Sequence, residues 1–91
     1  MITFEGLLIQ IPDLPAPDLE RWIVNDWVRP DGEAGSYGFQ EIDVARIRLI
    51  QELRDQLEIN DAALPLVLRL LDQLYDLRRS LQDLAQARRE V

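Results

Sequence analysis

Residues 18–39 read DLERWIVNDWVRPDGEAGSYGF, and the local rule of the chain changes inside them. Leu19, Trp22, Ile23 and Trp27 recur at helical spacing, which predicts a helix from Asp18 to Val28. Pro17 suits the first turn of such a helix, and Pro30 stops it. Three of the four glycines then fall between residues 29 and 39. That density predicts a turn-rich hairpin with Tyr37 to Phe39 as the returning strand.

Upstream, residues 1–17 read MITFEGLLIQIPDLPAP. Pro12, Pro15 and Pro17 forbid a long helix, so a short strand or one helical turn over Thr3–Ile11 is expected. Downstream, helix resumes at about Glu41. Val44, Ile47, Ile50, Leu53 and Leu57 occupy one arc of it, and Arg48, Gln51, Glu52, Asp55 and Glu58 the opposite arc. Asn60 or Asp61 is suited to cap the next helix, with Pro65 in its first turns.

The longest periodic pattern closes the chain. Val67, Leu70, Leu74, Leu77, Leu81 and Leu84 are spaced 3, 4, 3, 4, 3, a heptad seam. Leu64, Leu68, Leu71 and Tyr75 form a second apolar line beside it. One line is suited to pack within the chain and the other on a second helix. A chain of 91 residues has no other segment long enough to cover the seam. A homodimer, parallel or antiparallel, is therefore expected through those six positions, ahead of an internal core stripe. Arg78, Arg79, Arg88 and Arg89 suit the C-terminal end of the helix dipole.

Composition narrows the function. The chain has no cysteine and no histidine, which removes disulfides, thiolate nucleophiles, the usual zinc sites and histidine acid–base chemistry. Neither Ser36 nor Ser80 has a nucleophile context. No catalytic residue, cofactor site or metal site is expected. The pair Asp72 and Asp76 is a poor cage for calcium or magnesium, and pairing with Arg69 and Arg79 is preferred for it. The net charge is −7, from 17 acids against 10 bases, all arginine. Such a field repels DNA phosphate and attracts basic protein surfaces. No apolar run approaches the roughly 20 residues that span a bilayer. No basic region precedes the short N-terminal apolar stretch, so no secretory signal and a cytoplasmic location are expected.

The order of helix, glycine-rich wing, helix and long helix resembles the winged-helix domain of MerR-type regulators. Trp27-Val28-Arg29-Pro30, Tyr37-Gly38-Phe39 and the Val44/Ile47/Ile50/Leu53/Leu57 helix carry that resemblance. Arg54-Asp55-Gln56-Leu57-Glu58-Ile59-Asn60, with Leu70-Leu71-Asp72-Gln73-Leu74-Tyr75-Asp76-Leu77-Arg78, is similar to the CbpM chaperone-modulator family, an offshoot of the MerR fold. The likeness covers roughly residues 18–84. It implies a mainly α fold: one domain over 1–91, with a degraded helix-turn-helix and small β wing in 1–40, a core helix in 41–60 and a dimerisation helix in 61–91. It also implies a non-catalytic regulator that binds the J-domain of a DnaJ/CbpA-type co-chaperone, blocks its work with the DnaK chaperone, and meets the nucleoid only through that partner.

The chain departs from the DNA-reading version of that fold. Residues 18–26 hold three acids and one Arg where a recognition helix carries bases. Gly38 stands where a base is expected after the wing aromatic, and Pro12 and Pro15 erode the first helix. A MerR-type DNA-binding regulator is thus the alternative reading. The partner-binding residues expected are Glu52, Asp55 and Glu58, with Asp18, Glu20 and Asp26 next. Three plainer readings compete: the acidic stripe as a solvated helix face, Arg54 folding back on Glu58, and Trp22 and Trp27 as core residues. The core reading is preferred for both tryptophans.

Overall fold

Thr3 starts the first helix by accepting a hydrogen bond from the Gly6 N–H at 3.0 Å. In the computed structural model, which describes residues 1–89, this helix is α1 (Phe4–Gln10). It exceeds the single turn expected because Pro12 falls just beyond its C-cap, Ile11, and interrupts nothing. Pro12 thus lies just past α1, and Pro15 is the N-cap of the next helix. The other helices are α2 (Ala16–Val24), α3 (Glu41–Asp55) and α4 (Leu64–Arg89). The protein is mainly helical. Glu90 and Val91, the end of the expected 61–91 helix, lie outside the described residues, as does the side chain of Arg89.

α2 stops four residues short of the expected Val28. Asp26 takes a left-handed conformation with φ 60°. The Trp27 N–H then reaches back to the Trp22 carbonyl at 2.9 Å, and the Asp26 N–H to the Ile23 carbonyl at 3.1 Å. This is a Schellman ending with aspartate in the place glycine usually takes. Trp27 and Val28 are both buried beyond the helix end. Trp27 keeps its burial, which is why it mimicked a helical repeat position.

The glycine loop pairs through two antiparallel bridges, Ile2 with Phe39 and Asp31 with Gly38. The pairing falls where the returning strand was expected, but the first residues of the chain supply half of it. Gly32, at φ 87°, has no room for a Cβ, which would lie 2.7 Å from the Ser36 carbonyl oxygen. Phe39 is buried between Phe4 and Tyr37, with ring centroids 6.5 and 6.2 Å away.

α3 opens with the Asp43 carboxylate accepting from the Gln40 N–H at 2.8 Å, the return arm of a capping box. Val44, Ile47, Ile50 and Leu53 are buried as their arc requires, whereas Leu57 is 65% exposed. The expected 41–60 helix ends at Asp55 because the chain turns away at Glu58, φ 54°. Asn60 then accepts from the Ala63 N–H at 2.9 Å and leads into α4. Pro65 is the second residue of α4, where a missing N–H costs nothing.

The chain divides into two compact units, Met1–Glu58 and Ile59 onward. In the first, α1, α2, α3 and the paired loop share a core that includes Leu7, Leu19, Trp22, Phe39, Ile47 and Ile50. In the second, Leu64 and Leu68 are buried and Val67 is half-buried. Leu70, Leu74, Leu77, Leu81 and Leu84 are between 53% and 64% exposed. Among the described residues, no helix is long and apolar enough to cross a membrane.

The left-handed residues Asp26 and Gly32 predict opposite responses. Asp26→Gly should raise stability by about 0.5–1 kcal/mol by relieving Cβ strain at the helix end. Gly32→Ala should lower it by at least about 1–2 kcal/mol. Urea unfolding followed by tryptophan fluorescence checks both.

Candidate functional site

α3 holds α2 at both ends with arginine. Arg54 donates through its terminal nitrogen to Asp18 at 2.8 Å and through Nε to Asp55 at 2.9 Å. Its guanidinium carbon lies 5.3 Å from the Trp22 ring centroid. Arg46 donates to the Trp27 carbonyl at 2.9 Å, just beyond the other end of α2. Arg21 adds a 3.5 Å contact to Asp18. Arginine suits these places because a planar, permanently charged fork can stack on an indole and serve two carboxylates at once.

This arrangement redistributes the acidic residues that the sequence singles out. Glu52 is exposed on α3. Asp55 is exposed but engaged by Arg54, and Glu58 lies beyond the helix in its left-handed turn. The three are near one another along the chain without sharing one helical face. Arg54 turns to Asp18 and Asp55, not back to Glu58. Of the acids on α2 and the turn after it, Asp18 is half-buried in the arginine cluster, whereas Glu20 and Asp26 are exposed.

The hydrogen bond from Arg54 holds the Asp55 carboxyl below its ordinary value of 3.8, against a slight opposing effect of burial. In turn, the bond to Asp55 raises the Arg54 pKa; burial opposes this and the bond to Asp18 assists it. Both groups of the clasp stay charged at neutral pH.

A groove of about 820 Å³ opens between α1, α2 and the glycine loop. Phe4, Ile23, Val24 and Tyr37 give it apolar walls, and Glu5 and Glu20 contribute carboxylates. The sequence pattern missed it, because its walls come from three segments that no single periodicity links. The one legible hint was Val24, apolar yet off the buried face of α2. Gly38, at the position expected to carry a base, lies against the first residue: a Cβ there would come 2.5 Å from Met1 Sδ. A side chain at 38 would have to displace the exposed Met1 side chain.

Comparison with protein-family models, curated proteins and solved structures finds no match to this chain.

The Asp55 carboxyl should titrate below 3.8, and in Arg54→Gln its midpoint should move up toward that value, read by carboxyl-carbon NMR. A group with a depressed folded pKa contributes stability above its unfolded pKa. The clasp's contribution is therefore present above about pH 4 and lost as pH falls through the folded midpoint. At neutral pH, Arg54→Gln should cost about 1–2 kcal/mol through the lost part-buried ion pair and indole stacking.

Proposed function

We propose that this chain is a non-catalytic regulator with a MerR-like winged-helix core, which binds the J-domain of a DnaJ/CbpA-type co-chaperone and inhibits it. Its location in this reading is the cytoplasm. The observation that carries the proposal is the division of charge. Residues 1–58 hold twelve acids and five arginines, and residues 59–91 hold five of each. The whole net charge of −7 thus belongs to the first unit. Three of that unit's five arginines, Arg21, Arg46 and Arg54, bond to its own residues. An acidic unit with three of its five bases engaged internally suits a basic protein surface and repels a phosphate backbone.

The resemblance of residues 54–60 and 70–78 to the CbpM family supports a J-domain as the partner, since J-domains present a basic helix. Inhibition then follows from steric and electrostatic competition for the surface that the chaperone uses. The exposed leucines of α4 support a homodimer as the assembled form. A second copy would cover them, and the unit that bears them carries no net charge to repel it.

Because Asp55 already serves Arg54, the test of the stripe reverses Glu52 and Glu58 to Arg together. Titration with a DnaJ-type J-domain should show association slowed by about tenfold at low salt, with circular dichroism unchanged. An unchanged rate in a folded double variant excludes the stripe. A duplex-DNA gel shift at physiological salt should show no specific complex, and tight sequence-specific binding would favour the MerR-type regulator.

The dimer is tested by sedimentation. The chain should run as a dimer at roughly tens of micromolar. Leu74→Asp should run as a monomer, because a charge on the seam would be buried unpaired. A stable wild-type monomer at that concentration refutes the assembly.

A further inference from the structure

We propose that the groove between α1, α2 and the glycine loop is a docking site for a basic amphipathic helix of a partner protein. The inference deepens the reading of this chain as a binding regulator and rests on it. It adds a surface distinct from the stripe on α3.

The groove is unlike the rest of the first unit. Val24 is 81% exposed on α2, only two residues from the fully buried Trp22. It faces neither the core nor a polar surface, but a space shared with Phe4, Ile23 and Tyr37. Phe4 and Tyr37 are each half-buried and are anchored from beneath by Phe39. The walls are therefore held in place by the core, and only their outer surfaces meet solvent. A pre-formed apolar surface of this kind takes side chains at low entropic cost.

Two features define the occupant. The first is openness: with Val24 so exposed, the groove does not enclose a molecule. It receives side chains from a segment lying across it, as when an amphipathic helix lays its apolar stripe into a surface groove. The second is charge. Glu5 and Glu20 contribute carboxylates, no arginine lines the groove, and the unit carries the full −7. An acidic helix is repelled, a neutral one gains nothing from the carboxylates, and one with Lys or Arg beside its apolar stripe satisfies both. In this arrangement, the charge of the unit speeds encounter and the apolar walls set the lifetime of the complex.

The full-length chain is titrated with a labelled helical peptide whose leucines, one turn apart, are flanked by arginines, and with the same peptide carrying glutamates instead. The arginine peptide should bind, and the glutamate peptide should not. Val24→Asn and Glu20→Arg should each weaken the arginine peptide by about tenfold. Glu20→Gln should fall between Glu20→Arg and the parent. Both positions are exposed, so circular dichroism should be unchanged. Equal affinity in Val24→Asn and the parent overturns the groove, and so does equal binding of the two peptides. Loss of self-association in Val24→Asn would assign the groove to a second copy and also overturns the proposal. A J-domain run alongside separates the two readings. If it binds parent and Val24→Asn equally, the groove fails while the J-domain reading stands. If it fails to bind the parent while the arginine peptide binds in the groove, the reverse holds.

Discussion

The guanidinium of Arg54 rests over the ring of Trp22 while bonding to Asp18 and Asp55, and the placement of α2 depends on it. Trp22 is buried, and its indole N–H meets no acceptor among the described residues. Leaving such a donor unpaired costs about 1–3 kcal/mol. The ring is held by packing and by the cation on its face. Arg46, bonded to the Trp27 carbonyl, fastens the other side of the Schellman turn. The two fastenings tie α2 to α3 near either end, and α2 carries the groove walls formed by Ile23 and Val24.

The same fastening explains why an acidic unit has so little free positive charge. Asp18 stands in the first turn of α2, where a carboxylate suits the helix dipole, and it is drawn inward by Arg54 and Arg21. The acids left facing outward are Glu20 on α2 and Asp26 just past its end. Asp26 also serves the backbone, since aspartate tolerates the left-handed turn better than most side chains. Charge and turn chemistry thus meet in single residues, and the acidic surface is partly a by-product of how the helix ends.

Periodicity made the helical class legible. The arc from Val44 to Leu53 is buried as its spacing requires, and the glycine density of residues 29–39 marks a turn that does occur. What periodicity cannot register is the residue at which the backbone leaves the helix. Trp27 and Leu57 each continue a hydrophobic repeat, and each lies beyond a left-handed residue, at Asp26 or Glu58. Trp27 is nonetheless buried, while Leu57 is exposed. Nor could the sequence show that Arg54 would choose Asp18, a partner 36 positions away, over Glu58 four positions away. The acidic stripe was legible as a list of residues, but its geometry was not. The groove was legible only as one misplaced valine.

The separation of charge between the two units has a consequence for how the chain responds to its medium. If two copies pair through their neutral second units as proposed, the like net charge of −7 on each first unit opposes pairing. Dissolved salt screens it over a Debye length of about 8–10 Å at physiological strength. The same ions screen the attraction between the first unit and a basic partner. In the proposed reading, ionic strength would act as a selector: concentrated salt would favour self-pairing, and dilute salt capture of a basic partner. The two tendencies are set against each other by one fact of covalent sequence, that the first 58 residues carry all of the net charge.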